Sequence, residues 1–167
     1  MERICFVGCG SSSAAGSTAK YLADKYTTLA VNAYTGWEFI DSMPVYGDRK
    51  MLAVFISQSG TTEEIVKGLR KAGKQGIMTV GVCNQREENP LGQEADFVVD
   101  YHAEAMWECQ LAALYTLIAR TAIDRGESTE VMEKILSDMK RLPRCLDTTL
   151  KTLKKKALEL EQNPCEV

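Results

Sequence analysis

The chain has 167 residues, 45% of them hydrophobic and 26% charged, and a chain of this length buries roughly two thirds of the surface that it exposes when unfolded. This excludes a miniprotein held together by disulfides, and a formal net charge of −3 offers no excess positive potential to a nucleic-acid backbone. No apolar run approaches the roughly 20 residues of a membrane helix and no secretory signal follows Met1, so we expect a cytoplasmic protein without a membrane contact.

Five short segments have the length and the β-branched or aromatic content of strands. Several are apolar without alternation, as strands are when both faces of a sheet are covered. Because helix-like segments separate them, the pattern predicts an α/β fold with a parallel sheet. The predicted strands are residues 3–7, 29–33, 51–56, 77–82 and 97–99.

Apolar residues at helical spacing predict helices over residues 14–26 and 62–73. A short helix and a turn are expected between Tyr34 and Lys50. Residues 103–124 are apolar on nearly every side, which indicates a helix buried on two faces.

The last 40 or so residues, after Ser128, are helical in pattern and more charged. They carry two apolar stripes, one before and one after Pro143, which need a partner surface, so we expect self-association or packing against a further domain. The stripes are Val131, Ile135, Met139 and Leu142, then Leu146, Leu150, Leu153, Ala157 and Leu160.

Six cysteines occur at unrelated spacings without a C-x-x-C motif, and His102 is the one histidine. Zinc sites usually recruit paired cysteines or several histidines. We therefore expect free thiols and no bound metal.

Two loops rich in Gly, Ser and Thr, residues 8–13 and 57–62, each follow a predicted strand and open a helix. Helix N-termini present unpaired N–H groups and a partial positive charge, so such a loop binds phosphate without Lys or Arg. If the strand order is 2-1-3-4-5, both loops flank the crevice at the switch point of the sheet. One site would then be lined by both loops.

Competing motifs fit less well. The dinucleotide fingerprint needs glycine where Ser13 stands and an acid near Val31, and the spacing from Gly10 to Gly16 does not fit a nucleotide triphosphatase loop. We therefore expect no NAD, FAD or ATP and no other cofactor. Two alternatives without a ligand remain open: a capping box formed by Thr61 and Glu64, and a tight turn in the first loop.

The loops Gly8-Cys9-Gly10-Ser11-Ser12 and Ser57-Gln58-Ser59-Gly60-Thr61-Thr62 resemble those of the sugar isomerase (SIS) domain family. The resemblance extends over about residues 3–162, and shorter matches such as Trp107-Glu108 are similar to the branch of fructosamine-6-phosphate and fructoselysine-6-phosphate deglycases. It implies a flavodoxin-like three-layer sandwich with a five-stranded parallel sheet of order 2-1-3-4-5 plus C-terminal helices. It also implies a phosphosugar ligand, such as a ketosamine or ketose 6-phosphate.

The resemblance assigns a role to each loop. It implies that the second loop holds the phosphate oxygens, with Ser12 joining from the first loop, and that Gly10 and Ser11 face the sugar. Cys9 is expected only to line the site. The implied phosphate-binding residues are Ser12, Ser57, Gln58, Ser59, Gly60 and Thr62.

Relatives of this branch carry two SIS domains in tandem. We therefore expect an SIS domain over residues 1–126 and, over residues 127–167, a helical linker toward a second SIS domain that this chain lacks. The catalytic Glu and His of the family belong to that second half.

Within this chain, His102, Glu104 and Glu108 are the candidates for acid-base work, since they follow the fifth predicted strand. Glu104 and Glu108 are four residues apart and share a helix face, so burial of that face would raise a carboxyl pKa. The alternative gives Glu108 a structural role in a domain interface and makes His102 a loop-end residue.

Three hypotheses for function follow. The chain is the phosphate-binding half of a deglycase or aldose-ketose isomerase, in which an acid-base pair abstracts a proton beside the carbonyl. It is alternatively a phosphosugar-sensing regulatory module. The third hypothesis is a truncated product that folds without a complete catalytic site.

Overall fold

The computed structural model describes residues 1–42, 50–101 and 106–162. Within these residues, five strands alternate with six α-helices, and a turn of 3-10 helix, Arg86–Glu88, follows the fourth strand. The strands are β1 Arg3–Gly8, β2 Ala30–Thr35, β3 Met51–Ile56, β4 Met78–Cys83 and β5 Phe97–Asp100. The helices are α1 Ser11–Tyr26, α2 Gly36–Ser42, α3 Glu63–Lys74, α4 Pro90–Glu94, α5 Met106–Asp124 and α6 Thr129–Gln162.

The strands form one parallel sheet in the order β2-β1-β3-β4-β5, which confirms the expected order and fold class. β1 lies between β2 and β3, and its last residue, Gly8, is level with Thr35 of β2 and Ile56 of β3. The loops that follow these three strands therefore start side by side at the carboxyl edge of the sheet.

Side chains of the central strands point alternately to two apolar layers. On one face Phe6 and Ile56 pack with Ala15 of α1 and Leu114 of α5. The other face packs against α2, α3 and α4, in a cluster that includes Cys5, Val7, Phe39, Phe55, Ile65 and Leu91. Burial of both faces explains why β1, β3 and β4 read as apolar runs without alternation.

Small residues set the distance between α1 and the sheet. Ala15, Ala19 and Ala23 are fully buried, and a Cβ on Gly16 would lie 3.0 Å from the Cβ of Phe6. A larger side chain at Gly16 would lift α1 away from β1. Because Ser11 and Ser12 open the same helix, its close seating also fixes the first Ser-rich loop.

The sequence pattern missed helix α4 and the 3-10 turn before it. The five-residue helix α4 starts at Pro90, and the side chain of Asn89 caps it by accepting a hydrogen bond from the Gly92 N–H at 2.8 Å. Asn followed by Pro is a start signal for a helix, but an apolar period cannot be recognised in so short a segment.

Helix α5 packs on two sides, as its apolar composition predicts: Leu114 and Ile118 join the sheet layer, while Ala119 and Ala122 pack with Met132 of α6. The predicted start of this helix at residue 103 and the predicted turn around Pro44 and Gly47 lie outside the described residues.

The two predicted apolar stripes lie on one continuous helix, since α6 runs through Pro143. Met132 is fully buried near its start, whereas five leucines from Leu142 onward are 48–64% exposed. They are Leu142, Leu146, Leu150, Leu153 and Leu158. The described helices include none with an apolar stretch long enough to cross a membrane.

Candidate functional site

The first loop joins β1 to α1 through two glycines with different tasks. A Cβ on Gly8 would lie 2.6 Å from the backbone carbon of Ser12, so the start of α1 needs glycine at that position. Gly10 has a φ of 57° and directly precedes the helix. This geometry brings the N–H groups of the first turn of α1 to the carboxyl edge of the sheet, with Ser11 exposed and Ser12 buried.

The second loop joins β3 to α3 and is built on hydroxyl groups. The side chain of Ser57 is 2.9 Å from the Thr62 hydroxyl and shares a hydrogen bond with it. The Gly60 N–H donates to the Ser57 hydroxyl at 3.2 Å, and the Thr61 N–H donates to the Ser59 hydroxyl at 3.3 Å. Hydroxyl groups and helix N–H groups thus converge where α3 begins, without a basic side chain in the loop.

The capping-box alternative for this loop is wrong. Helix α3 is preceded by Thr62 rather than Thr61, and the Thr62 side chain makes no capping hydrogen bond. Glu64 does not reach back to the loop backbone as a capping box requires, because its carboxylate accepts a hydrogen bond from the Cys9 thiol. The hydroxyl groups of the loop are therefore not used as a helix cap.

Asn89 supports the second loop from the side of β4. Its side-chain amide donates to the carbonyl oxygens of Asn84 and Gln85, both at 2.9 Å, and it is 3% exposed. Gly60 packs directly on it: Gly60 has a φ of 64°, and a Cβ there would overlap the Asn89 side chain. The Gly60 carbonyl also accepts a hydrogen bond from the Leu91 N–H at 3.1 Å.

A polar cavity of about 340 Å³ opens beside this support. Its walls combine the second loop with the segment that follows β4. The lining residues are Gln58, Ser59, Asn84, Gln85, Glu88 and Asn89. Two predicted phosphate-binding residues, Gln58 and Ser59, therefore border open space.

A side-chain contact joins the first loop to α3, the helix that the second loop opens. The Cys9 thiol of the first loop donates to Glu64 Oε1 of α3 at 3.1 Å. The backbone of Gly36 at the start of α2 lies near the same sulfur and acts to lower its pKa, against the larger effect of burial. Burial, followed by the Glu64 hydrogen bond, raises the pKa of Cys9 to about 11, and that same hydrogen bond is the main cause of the lowered pKa of Glu64.

The structure brings together the residues expected to bind phosphate and sugar, since the two loops begin level on the neighbouring strands β1 and β3. Ser12 and Ser57 are buried, whereas Ser11 and Ser59 are exposed. Of the acid-base candidates, His102 and Glu104 lie outside the described residues. Glu108 is exposed in the first turn of α5, not on a buried helix face.

Sequence reasoning missed two parts of the site: the support by Asn89 and the link from Cys9 to Glu64. The support by Asn89 could have been found from the helix-start signal Asn89-Pro90. The contact between Cys9 and Glu64 had no sequence signal, because these residues are 55 positions apart and meet only through the register of the sheet. The expectation that Cys9 only lines the site is incomplete, since its thiol joins the first loop to the first turn of α3.

The described residues contain no cluster of three or more His, Cys, Asp or Glu side chains that could hold a metal ion. The cysteines among them, Cys5, Cys9, Cys83, Cys109 and Cys145, are free. Cys5 and Cys83 are buried in the core, as expected for structural thiols, while Cys145 is exposed on α6.

Comparison with known proteins agrees with this architecture. Fructoselysine 6-phosphate deglycase from Escherichia coli (strain K12) is 34% identical over 160 residues, covering 96% of this chain and 46% of the deglycase. A glutamine–fructose-6-phosphate aminotransferase (isomerizing) from Tropheryma whipplei (strain Twist) is 32% identical, covering 86% of this chain and 24% of that protein. The chain thus spans less than half the length of these curated relatives.

Among solved structures, a candidate phosphosugar isomerase from Bacillus subtilis superposes with a TM-score of 0.76 at 27% identity, over 97% of this chain and 50% of that one. The sequence profile of the SIS domain matches residues 1–123, a segment that contains the sheet and both hydroxyl-rich loops. The chain belongs to the SIS domain family.

Proposed function

We propose that this SIS domain binds a phosphorylated sugar, a ketosamine or ketose 6-phosphate, between its two hydroxyl-rich loops. The observation that carries the proposal is the level start of these loops on β1 and β3, each opening a helix whose first N–H groups lie at the carboxyl edge of the sheet. Paired helix N-termini with hydroxyl side chains favour a doubly charged phosphate group. The names of the relatives support the same class of ligand.

The two loops divide the ligand between them in this proposal. Ser57, Ser59 and Thr62, with the backbone of Gln58 and Gly60, hold the phosphate oxygens. Ser12 adds a buried hydroxyl from the first turn of α1. Gly10 and Ser11 are exposed beside them and face the sugar.

Deglycase or isomerase chemistry belongs, in this proposal, to an arrangement with a second SIS unit. This chain supplies phosphate binding and sugar orientation, which lower the entropic cost of the chemical step. The acid-base candidates in this chain are His102, Glu104 and Glu108. Turnover by the chain alone would require at least one of them. A sensing module would bind the same ligand without turnover, so an assay for amine release or isomerisation separates the two functions.

The second SIS unit is proposed to pack on the exposed leucines of α6, over residues 142–153. Leu142, Leu146, Leu150 and Leu153 recur at helical spacing and are 49–64% exposed, so they form an apolar stripe suited to a partner surface. We assign residues 127–167 as the linker toward that unit, which another copy of the chain or a second domain can supply. Sedimentation analysis should show a dimer that Leu146→Asp with Leu150→Asp makes monomeric; a wild-type monomer would contradict the self-association proposal.

Thermal unfolding with a ligand panel tests the binding function. Fructose 6-phosphate, glucosamine 6-phosphate and fructoselysine 6-phosphate should raise the midpoint, because they bind only the folded state, and NAD should leave it unchanged. The double variant Ser59→Ala with Thr62→Ala should keep its fold and lose the shift. An equal shift in wild type and double variant would refute the assignment of the second loop.

A further inference from the structure

Cys9 occupies an unusual position for a thiol in a ligand loop, because its sulfur lies at the start of two other helices. It donates a hydrogen bond to Glu64 Oε1 of α3 at 3.1 Å, and the backbone of Gly36 at the start of α2 lies near it. We propose that Cys9 and Glu64 are positioning residues that hold the sugar-facing residues Gly10 and Ser11 in register with the phosphate loop, residues 57–62. This inference rests on the proposed phosphosugar function.

The chemistry of the pair suits a fixed hydrogen bond rather than a nucleophile. Burial raises the pKa of Cys9 to about 11, and the Glu64 hydrogen bond adds to the effect, so the thiol stays protonated at neutral pH. The same bond lowers the pKa of Glu64, which therefore stays a carboxylate. A protonated thiol reacts slowly as a nucleophile, but it remains a donor for the carboxylate.

The sugar-facing residues are held within their own segment by backbone bonds: the Ser12 N–H donates to the Cys9 carbonyl at 3.1 Å, and the Ala14 N–H donates to the Gly10 carbonyl at 3.2 Å. The Cys9 thiol adds the bond that ties this segment to α3. The phosphate loop, in contrast, is held by the bond between Ser57 and Thr62 and by the packing of Gly60 on Asn89. Loss of the thiol contact should therefore make residues 9–11 more mobile and leave residues 57–62 unchanged. Sugar binding must then order residues 9–11, and this ordering costs free energy.

The surroundings of Glu64 favour the same role. Glu63 and Glu64 both lie in the first turn of α3, where a carboxylate repels a bound phosphate even though it complements the helix dipole. Glu63 pairs with Lys67 on the surface. Glu64 turns inward instead, and a Cβ on Gly36 would lie 2.8 Å from its Cβ. Its carboxylate is thereby directed to the Cys9 thiol.

The test compares the affinities of fructose 6-phosphate and inorganic phosphate by calorimetry. In Cys9→Ala and in Glu64→Ala, the ratio of the two affinities should fall about fivefold, equivalent to about 1 kcal/mol, and the double variant should fall no further. Cys9→Ser and Glu64→Gln keep a donor and an acceptor, so they should restore the ratio. Glu63→Ala removes the same charge from the same turn and should change both affinities equally.

The outcomes separate this inference from the function on which it rests. An unchanged ratio in Cys9→Ala and Glu64→Ala, with both ligands still bound by wild type, overturns the positioning role alone. Equal losses in Cys9→Ser and Cys9→Ala also overturn it, because the hydrogen bond would then be irrelevant. Wild type that binds neither ligand overturns the proposed function, and the positioning role with it. Unfolding curves of each variant without ligand show whether it is folded.

Discussion

Gly60 is the residue whose substitution tests the architecture of the phosphate loop most sharply. Its φ is 64°, and a side chain there would overlap the buried Asn89. Gly76, at the end of α3, has a φ of 72° but meets nothing within 4 Å. Gly76→Ala therefore measures the cost of the backbone conformation alone, while Gly60→Ala adds the collision.

The expected magnitudes follow from the contacts. A left-handed backbone costs an L-residue about 1–2 kcal/mol, and this applies to both alanines. Displacing Asn89 also breaks its hydrogen bonds to Asn84, Gln85 and Gly92, which at about 1 kcal/mol each brings Gly60→Ala to about 4–5 kcal/mol. At about 2–4 °C per kcal/mol for a chain of this size, the midpoint should fall by about 8–20 °C, against about 2–8 °C for Gly76→Ala.

Thermal unfolding followed by circular dichroism measures both variants, and the double variant Gly60→Ala with Asn89→Ala tests the cause. Without the Asn89 side chain the new methyl group has room, so the double variant should be more stable than the sum of the single losses predicts. Equal midpoints for Gly60→Ala and Gly76→Ala would refute the packing of the loop on Asn89. Strict additivity in the double variant would refute the collision as the cause.

The remaining predictions concern charge and thiol chemistry. Hydrogen bonds from the Thr28 backbone and hydroxyl, with the Arg125 guanidinium, lower the pKa of Glu127 from 4.5 to about 2. Its contribution to stability is therefore complete above about pH 4.5 and is lost as the pH falls toward 2; Glu127→Gln should flatten that part of the unfolding profile, and an unchanged profile would contradict the assignment. Iodoacetamide at neutral pH should modify the exposed Cys145 well before Cys9, whose thiol is kept protonated; peptide mapping that finds Cys9 modified first would contradict this order.

The strands and most helices could be predicted from local pattern, because burial of both sheet faces leaves continuous apolar runs such as residues 51–56. The residues alone do not give the strand order, which came from the family resemblance. With that order, the two hydroxyl-rich loops are predicted to form one site. The two loops begin side by side because of the register between β1 and β3, and this register cannot be read from the sequence.

The parts that could not be predicted are contacts between distant segments. Asn89 serves the second loop only because β4 lies beside β3, and Glu64 meets Cys9 only because β1 lies on the other side. The pattern of Thr61 and Glu64 even favoured the wrong local partner. A capping box depends on neighbours in sequence, whereas the side chain of Glu64 is drawn to a thiol from another loop.

The most direct test of the central claim is a titration of the ¹⁵N-labelled chain with fructose 6-phosphate, followed by amide chemical shifts. The account predicts that the largest changes cluster at residues 9–13 and 57–63, the two helix N-termini and the loops before them. Smaller changes should reach residues 84–91, which support the second loop. Changes that cluster elsewhere, or no change at millimolar ligand, would contradict a phosphosugar site between these loops.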